Sequence, residues 1–98
     1  MGYALMENLQ FDEESGACLS ADFLDYKMPT AMEMPSNIET IFIDSNEPSG
    51  PYGGKSMSEM ALIVPAAAIA NAVYNAIGVR ITDLPITPEK VLRALGKL

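Results

Sequence analysis

The stretch Gly50–Ala72, "GPYGGKSMSEMALIVPAAAIANA", passes from a glycine-rich loop through a lone Lys55 and a lone Glu59 into an almost uninterrupted apolar run. In that run and just beyond it, Leu62, Ala66, Ile69, Val73 and Ile77 step by three and four, the spacing of a core-facing helical stripe. Alanines at 67, 68, 70, 72 and 76 fill much of the remaining surface, so a second backbone can pack closely. Pro65 suits the first turn of the helix, where its missing N–H costs nothing, and Gly78 stops it after Ile77. The segment reads as a long, Ala-rich buried helix with one acidic residue at its mouth.

Composition narrows what surrounds that helix. A chain of 98 residues allows one domain, and 49% apolar residues suffice for a globular fold. The net charge is −7 and no basic run occurs, which argues against nucleic acid or an anionic membrane as partner. Cys18 is the single cysteine, so no intrachain disulfide can form and a cytoplasmic setting is expected. Histidine is absent, which removes His-based triads, His metal ligands and the usual neutral-pH proton shuttle. Acid–base chemistry falls to Asp, Glu, Lys or Tyr. The start, "MGYALMENLQFDEE", lacks a basic n-region and a long apolar stretch, so it does not read as a signal peptide. Pro65, Asn71 and Asn75 interrupt the apolar run before the ~20 residues of a membrane helix, and no membrane span is expected.

Along the chain, Gly2–Asn8 suits a short helix. "LQFDEESGACL" alternates around Glu14-Ser15-Gly16 and reads as a β-hairpin. "DYKMPTAMEMPSN" has no clean period and two prolines, and reads as an irregular connection. "IETIFID", Ile38–Asp44, is rich in β-branched residues and is the best strand in the chain. "SNEPSGPYGGKS" is a loop by its prolines and glycines. After the long helix, "VRI" reads as a short strand. Thr87 caps a final helix, Pro88 opens it, Glu89 suits its positive end and Gly96 closes it. The expected class is α+β, with the 98 residues as one unit. A helix buried on more than one side sits badly with so short a chain, unless it forms a tight oligomer or belongs to something larger.

Three groupings could carry chemistry. "GGKS" invites a phosphate-loop reading, but Ser49 stands where the pattern needs its first glycine, and the helix is expected well after the lysine. The carboxylates of "FDEESG" and "ADFLDY", with Asp12, Glu13 and Glu14 bunched at a turn, fit a solvated tip better than a metal site. Tyr74, Asn71 and Asn75 suit helix-packing hydrogen bonds more than ligand contacts. Glu59 is the third. A glutamate just before a helix usually complements the helix dipole at the surface. Two features favour more. Glycines at 50, 53 and 54 let a backbone approach a ligand closely, and Met57, Met60 and Leu62 would withhold water from the carboxylate, as a general base near neutral pH requires.

"DYKMPTA", "GPYGGK", "PAAAIANAVYNAIGVRI" and "LPITPEKVLRAL", with "GYALMENLQFDEESGACLSADFLDYKMPTAMEMP" upstream, resemble the C-terminal end of the catalytic subunit in the xanthine dehydrogenase/aldehyde oxidase family of molybdenum hydroxylases. The resemblance covers nearly the whole chain. The family stretch Gly-x-Lys-Gly-x-Gly-Glu, which passes beside the molybdenum, matches Gly53 to Glu59. Serines at 56 and 58 replace its commoner glycines, a departure that would suit a purine- or heterocycle-hydroxylating subgroup. The resemblance implies Glu59 as catalytic base and Lys55, Ser56, Met57 and Ser58 beside the molybdopterin, with no protein metal ligand. It also implies hydroxylation of an N-heterocycle or aldehyde with water as oxygen source, electrons leaving through 2Fe-2S and FAD modules.

On the same resemblance, the chain is a fragment of a larger α/β subunit. It would bind no molybdopterin by itself, and its partners would be the remainder of the catalytic subunit and the 2Fe-2S and FAD subunits or domains. A second reading stays open: an orphaned or truncated fold unit without cofactor or activity that self-associates.

Overall fold

Three helices and one 3-10 turn, with no β-strand, make up the regular structure of the computed structural model, which describes all 98 residues. Helix α1 spans Gly2–Leu5, α2 Met60–Ile77 and α3 Pro88–Ala94; the 3-10 turn is Pro51–Gly53. The expected α+β class is therefore wrong. Around the expected hairpin the chain does reverse, with Asp12 N–H to Ala17 C=O at 2.8 Å and Leu19 N–H to Gln10 C=O at 2.8 Å. It makes only an isolated antiparallel bridge between Phe11 and Cys18. Ile38–Asp44 is irregular and exposed, Ile43 at 87%, and Val79–Ile81 is not a strand either. A strand exists only where a neighbouring strand takes its N–H and C=O groups, and these segments face no such neighbour. Residue preference alone does not make a sheet.

The covered part of the molecule is small. Only 5 of 98 residues are buried: Gly2, Ala4, Ser20, Pro85 and Ile86. Helix α1 is its centre. Ile86 N–H donates to the Ala4 carbonyl at 2.7 Å, which ties the segment before α3 to α1. Gly2 is required there, because a Cβ would lie 1.7 Å from Glu7 Oε1 and 2.9 Å from Pro29 Cδ. The curled-back Glu7 carboxylate accepts a hydrogen bond from Tyr26 Oη at 2.9 Å.

That bond pushes the Tyr26 hydroxyl above its usual 10.0, since a phenolate could not donate to the carboxylate and would be repelled by it. A raised pKa means that the associated stability is present below pH 10 and lost as pH rises through the folded-state value. Glu7→Gln should move one of the four tyrosines back toward its usual range in an ultraviolet difference titration. An unchanged titration would mean that the bond does not hold in solution.

Helix α2 departs from expectation in two ways. It begins at Met60, so Pro65 lies inside it rather than in its first turn. It is also exposed along most of its length rather than buried. Its half-covered positions include Ala66, Ile69, Val73 and Ile77, the stripe that the spacing marks, while Leu62 of that stripe stands exposed. Around this covered side Leu5, Met6, Val73, Ile86, Pro88, Val91 and Leu92 line an open apolar groove of 630 Å³. With 18 residues and a mean hydropathy of 1.7, α2 is long and apolar enough to cross a membrane by length and composition; Pro65 does not cut it short. Helix α1 packs on one of its sides.

The helix ends follow their residues. Gly78 adopts φ 74° at the end of α2 and donates to the Tyr74 carbonyl at 2.8 Å. Arg80 folds back there, its guanidinium 4.3 Å from the Tyr74 ring centroid and its Nη1 2.7 Å from Asn71 Oδ1. In α3, Thr87 Oγ1 accepts the Lys90 N–H at 3.4 Å. Gly96 at φ 66° lets Gly96 and Lys97 donate to the carbonyls of Arg93 and Leu92, a Schellman ending.

Candidate functional site

The loop leading into α2 is closed by its own backbone. Glu47 N–H and Ser45 Oγ both donate to the Gly53 carbonyl, at 3.0 and 3.1 Å. Gly50, Gly53 and Gly54 bond to the carbonyls of Glu47, Gly50 and Pro51 at 3.0–3.1 Å. Two of the glycines serve this closure. A Cβ on Gly50 would fall 2.0 Å from the Gly54 oxygen, and Gly53 needs φ 77°.

Glu47, which sequence reasoning missed, organises the loop. Its Oε1 accepts from Ser49 Oγ at 2.7 Å and Ser49 N–H at 3.2 Å, while Oε2 lies 3.9 Å from Lys55 Nζ. The Ser49 hydroxyl first, then the Ser49 N–H, holds this carboxyl below its usual 4.5. Its only sequence signal is Glu47-x-Ser49, a spacing at which a side-chain oxygen reaches the N–H two residues on. Lys55 is thus turned toward Glu47, in a half-exposed pair of small energetic weight.

Beyond Gly54 the chain runs irregularly and exposed through Lys55, Ser56, Met57 and Ser58 to Glu59. The backbone N–H groups of residues 55–59 have no partner within the chain. Glu59 occupies the N-cap of α2 with helical backbone angles, φ −73° and ψ −39°, and its side chain makes no capping hydrogen bond. The carboxylate is left free at the positive end of an 18-residue helix. Met57, Met60 and Leu62, expected to cover it, are 69%, 50% and 68% exposed. Apolar neighbours in sequence cover a side chain only if the fold brings them over it, and here they turn outward. Five backbone donors without a partner and two serine hydroxyls line this stretch. They form an open wall rather than an enclosure.

The carboxylates of the first turn are engaged otherwise. Asp12 Oδ1 takes both the N–H and the hydroxyl of Ser15, at 2.8 and 2.5 Å, and Asp22 Oδ1 takes the N–H groups of Leu24 and Asp25.

Tyr3 is the other residue that sequence reasoning passed over. Its hydroxyl donates to the Leu62 carbonyl at 2.5 Å and accepts from the Ala66 N–H at 3.3 Å. A straight helix would pair these two backbone groups directly. The available signal was Pro65 within a continuous apolar run; inside a helix a proline leaves nearby backbone groups in need of an outside partner.

Residues 1–35 match the family model of the molybdopterin cofactor-binding domain. The chain is 45% identical over 91 residues to the xanthine dehydrogenase molybdenum-binding subunit of Escherichia coli O157:H7, covering 93% of this chain and 12% of that subunit. It is 44% identical over 96 residues to an aldehyde oxidoreductase molybdenum-binding subunit of Escherichia coli K12, covering 97% of this chain and 13% of the relative. With the aldehyde oxidoreductase of Megalodesulfovibrio gigas the identity is 39% over 89 residues, covering 82% and 10%. The chain thus spans roughly an eighth of the length of these relatives. Across nearly all of its 98 residues, it belongs to the xanthine dehydrogenase/aldehyde oxidoreductase family of molybdenum-binding subunits.

Proposed function

We propose that this chain supplies the base-bearing loop of a molybdenum hydroxylase that acts on an N-heterocycle, a purine among them, or on an aldehyde. The observation that carries the reading is the free Glu59 carboxylate, placed at a helix N-terminus directly after a run of unpaired backbone donors. Lys55, Ser56, Met57 and Ser58 would hold the cofactor through backbone N–H groups, hydroxyls and the ammonium. When bound, the molybdenum cofactor supplies the two-electron acceptor for the oxidation. Glu59 takes up, at a carboxylate oxygen, the proton of the water-derived nucleophile as it attacks an electron-poor carbon. The rest of the catalytic subunit would close the site and cover the exposed side of α2, with 2Fe-2S and FAD modules carrying electrons away. A lone Cys18 that can form no intrachain disulfide is in keeping with the cytoplasm.

The exposed apolar surface also fits a second reading, an orphaned unit without cofactor that self-associates. Capture from the native host with an antibody to this segment separates the two. The hydroxylase reading expects molybdenum and pterin to come down with a polypeptide, attached or associated, several times longer than 98 residues. It expects none on the isolated chain, since one open loop cannot enclose such a group. Captured material without molybdenum would favour the orphan, as would stoichiometric molybdenum on the 98 residues alone count against the shared site.

A further inference from the structure

Pro65 sits six residues into α2 and has no N–H to give the Ala61 carbonyl, and its ring crowds that carbonyl. Such a position normally kinks a helix or frees its first turns. The turn at risk here is Met60–Val64, directly after Glu59. It is otherwise poorly supported: Leu62, Ile63 and Val64 are all exposed, and the N-cap makes no side-chain bond. The Tyr3 hydroxyl is its outside tie. It takes the Ala66 N–H beyond the proline and gives its own proton to the Leu62 carbonyl before it. The Leu62 N–H in turn donates to the Glu59 carbonyl at 3.0 Å. A chain of hydrogen bonds therefore runs from Ala66 through Tyr3 to Leu62 and on to the backbone of Glu59.

We infer that Tyr3 is a positioning residue for Glu59: its hydroxyl splints α2 across Pro65 and so fixes the direction in which the first turn presents the carboxylate. The inference rests on Glu59 being the base. Tyr3 touches no reacting atom and acts only through the turn. Its place on α1, nearly sixty residues away in sequence, makes the splint a tertiary device rather than a property of α2. Misplacing a reacting group by about 1 Å can cost about 10²-fold in rate, so a turn freed to splay should be visible in kcat.

The test uses Tyr3→Phe in the assembled molybdenum enzyme, with kcat taken per bound molybdenum, and amide hydrogen exchange over residues 60–66 as a readout independent of turnover. Expected are a fall of about 10–100-fold in kcat with KM little changed, and faster exchange confined to that turn. Pro65→Ala, which restores the missing N–H, should rescue both in the Tyr3→Phe background. A residue that merely packs would not be rescued in this way. In a Glu59→Gln background, Tyr3→Phe should cost nothing further, because the group being positioned is gone. Unchanged kcat together with unchanged exchange, or a loss that Pro65→Ala leaves in place, overturns the inference. Parental turnover in Glu59→Gln alone would sink the base assignment instead, and the exchange data would still decide whether Tyr3 holds the turn.

Discussion

Glu59→Gln is expected to lower kcat of the assembled enzyme by about 10²–10⁴-fold while molybdenum content stays at the parental level. The change keeps the shape of the side chain and removes its ability to take a proton. Its structural cost should be slight. The Glu59 carboxylate makes no capping bond, so only its charge interaction with the helix end is lost, about 0.3–1 kcal/mol. The two roles open to this residue therefore separate cleanly. A base shows a large kinetic loss with little change in melting temperature; a dipole-complementing surface residue shows a small thermal loss and near-normal turnover. The second pattern, in enzyme with its full molybdenum complement, would remove Glu59 from the chemistry.

The periodic and local features of this molecule were legible in its sequence, and the pairwise ones were not. The covered face of α2 follows from Ala66, Ile69, Val73 and Ile77, because a 3.6-residue period is written into the chain itself. Gly78 and Gly96 stop helices for the same reason: each takes a left-handed φ at its own position. The strand expected at Ile38–Asp44 fails because its existence depends on a partner elsewhere, which β-branched composition does not report. Pro65 was misplaced for a like cause, since the hydroxyl that lets a helix continue through it comes from Tyr3. At the candidate site, residue types and order were visible in "GGKSMSE". Lys55's turn toward Glu47 and the outward Met57, Met60 and Leu62 were not, because both depend on how the loop closes.

The isolated chain should self-associate strongly. Its accessible surface is 8197 Å², where a compact monomer of this length would expose about 5,400 Å². Its radius of gyration is 17.9 Å against the ~12.6 Å of a compact domain. Exposed large apolar side chains include Ile38, Ile41, Phe42 and Ile43, and Leu62, Ile63 and Val64 in the first half of α2. Contiguous apolar areas beyond about 300–600 Å² are uncommon on soluble monomers and drive association. Sedimentation should therefore show oligomers that bind a hydrophobic dye, and both signals should vanish when the remainder of the subunit covers these faces. Ile63→Glu, on the uncovered side of α2, should weaken association by tenfold or more, since burying such a side chain is worth about 1.5–3 kcal/mol and each 1.4 kcal/mol is about a factor of ten. The acidic net charge of −7 opposes association and sets how far added salt should strengthen it, by screening the mutual repulsion. A monomer at high concentration without dye binding would mean that the apolar segments fold onto one another in solution, and the need for a covering partner would go with it.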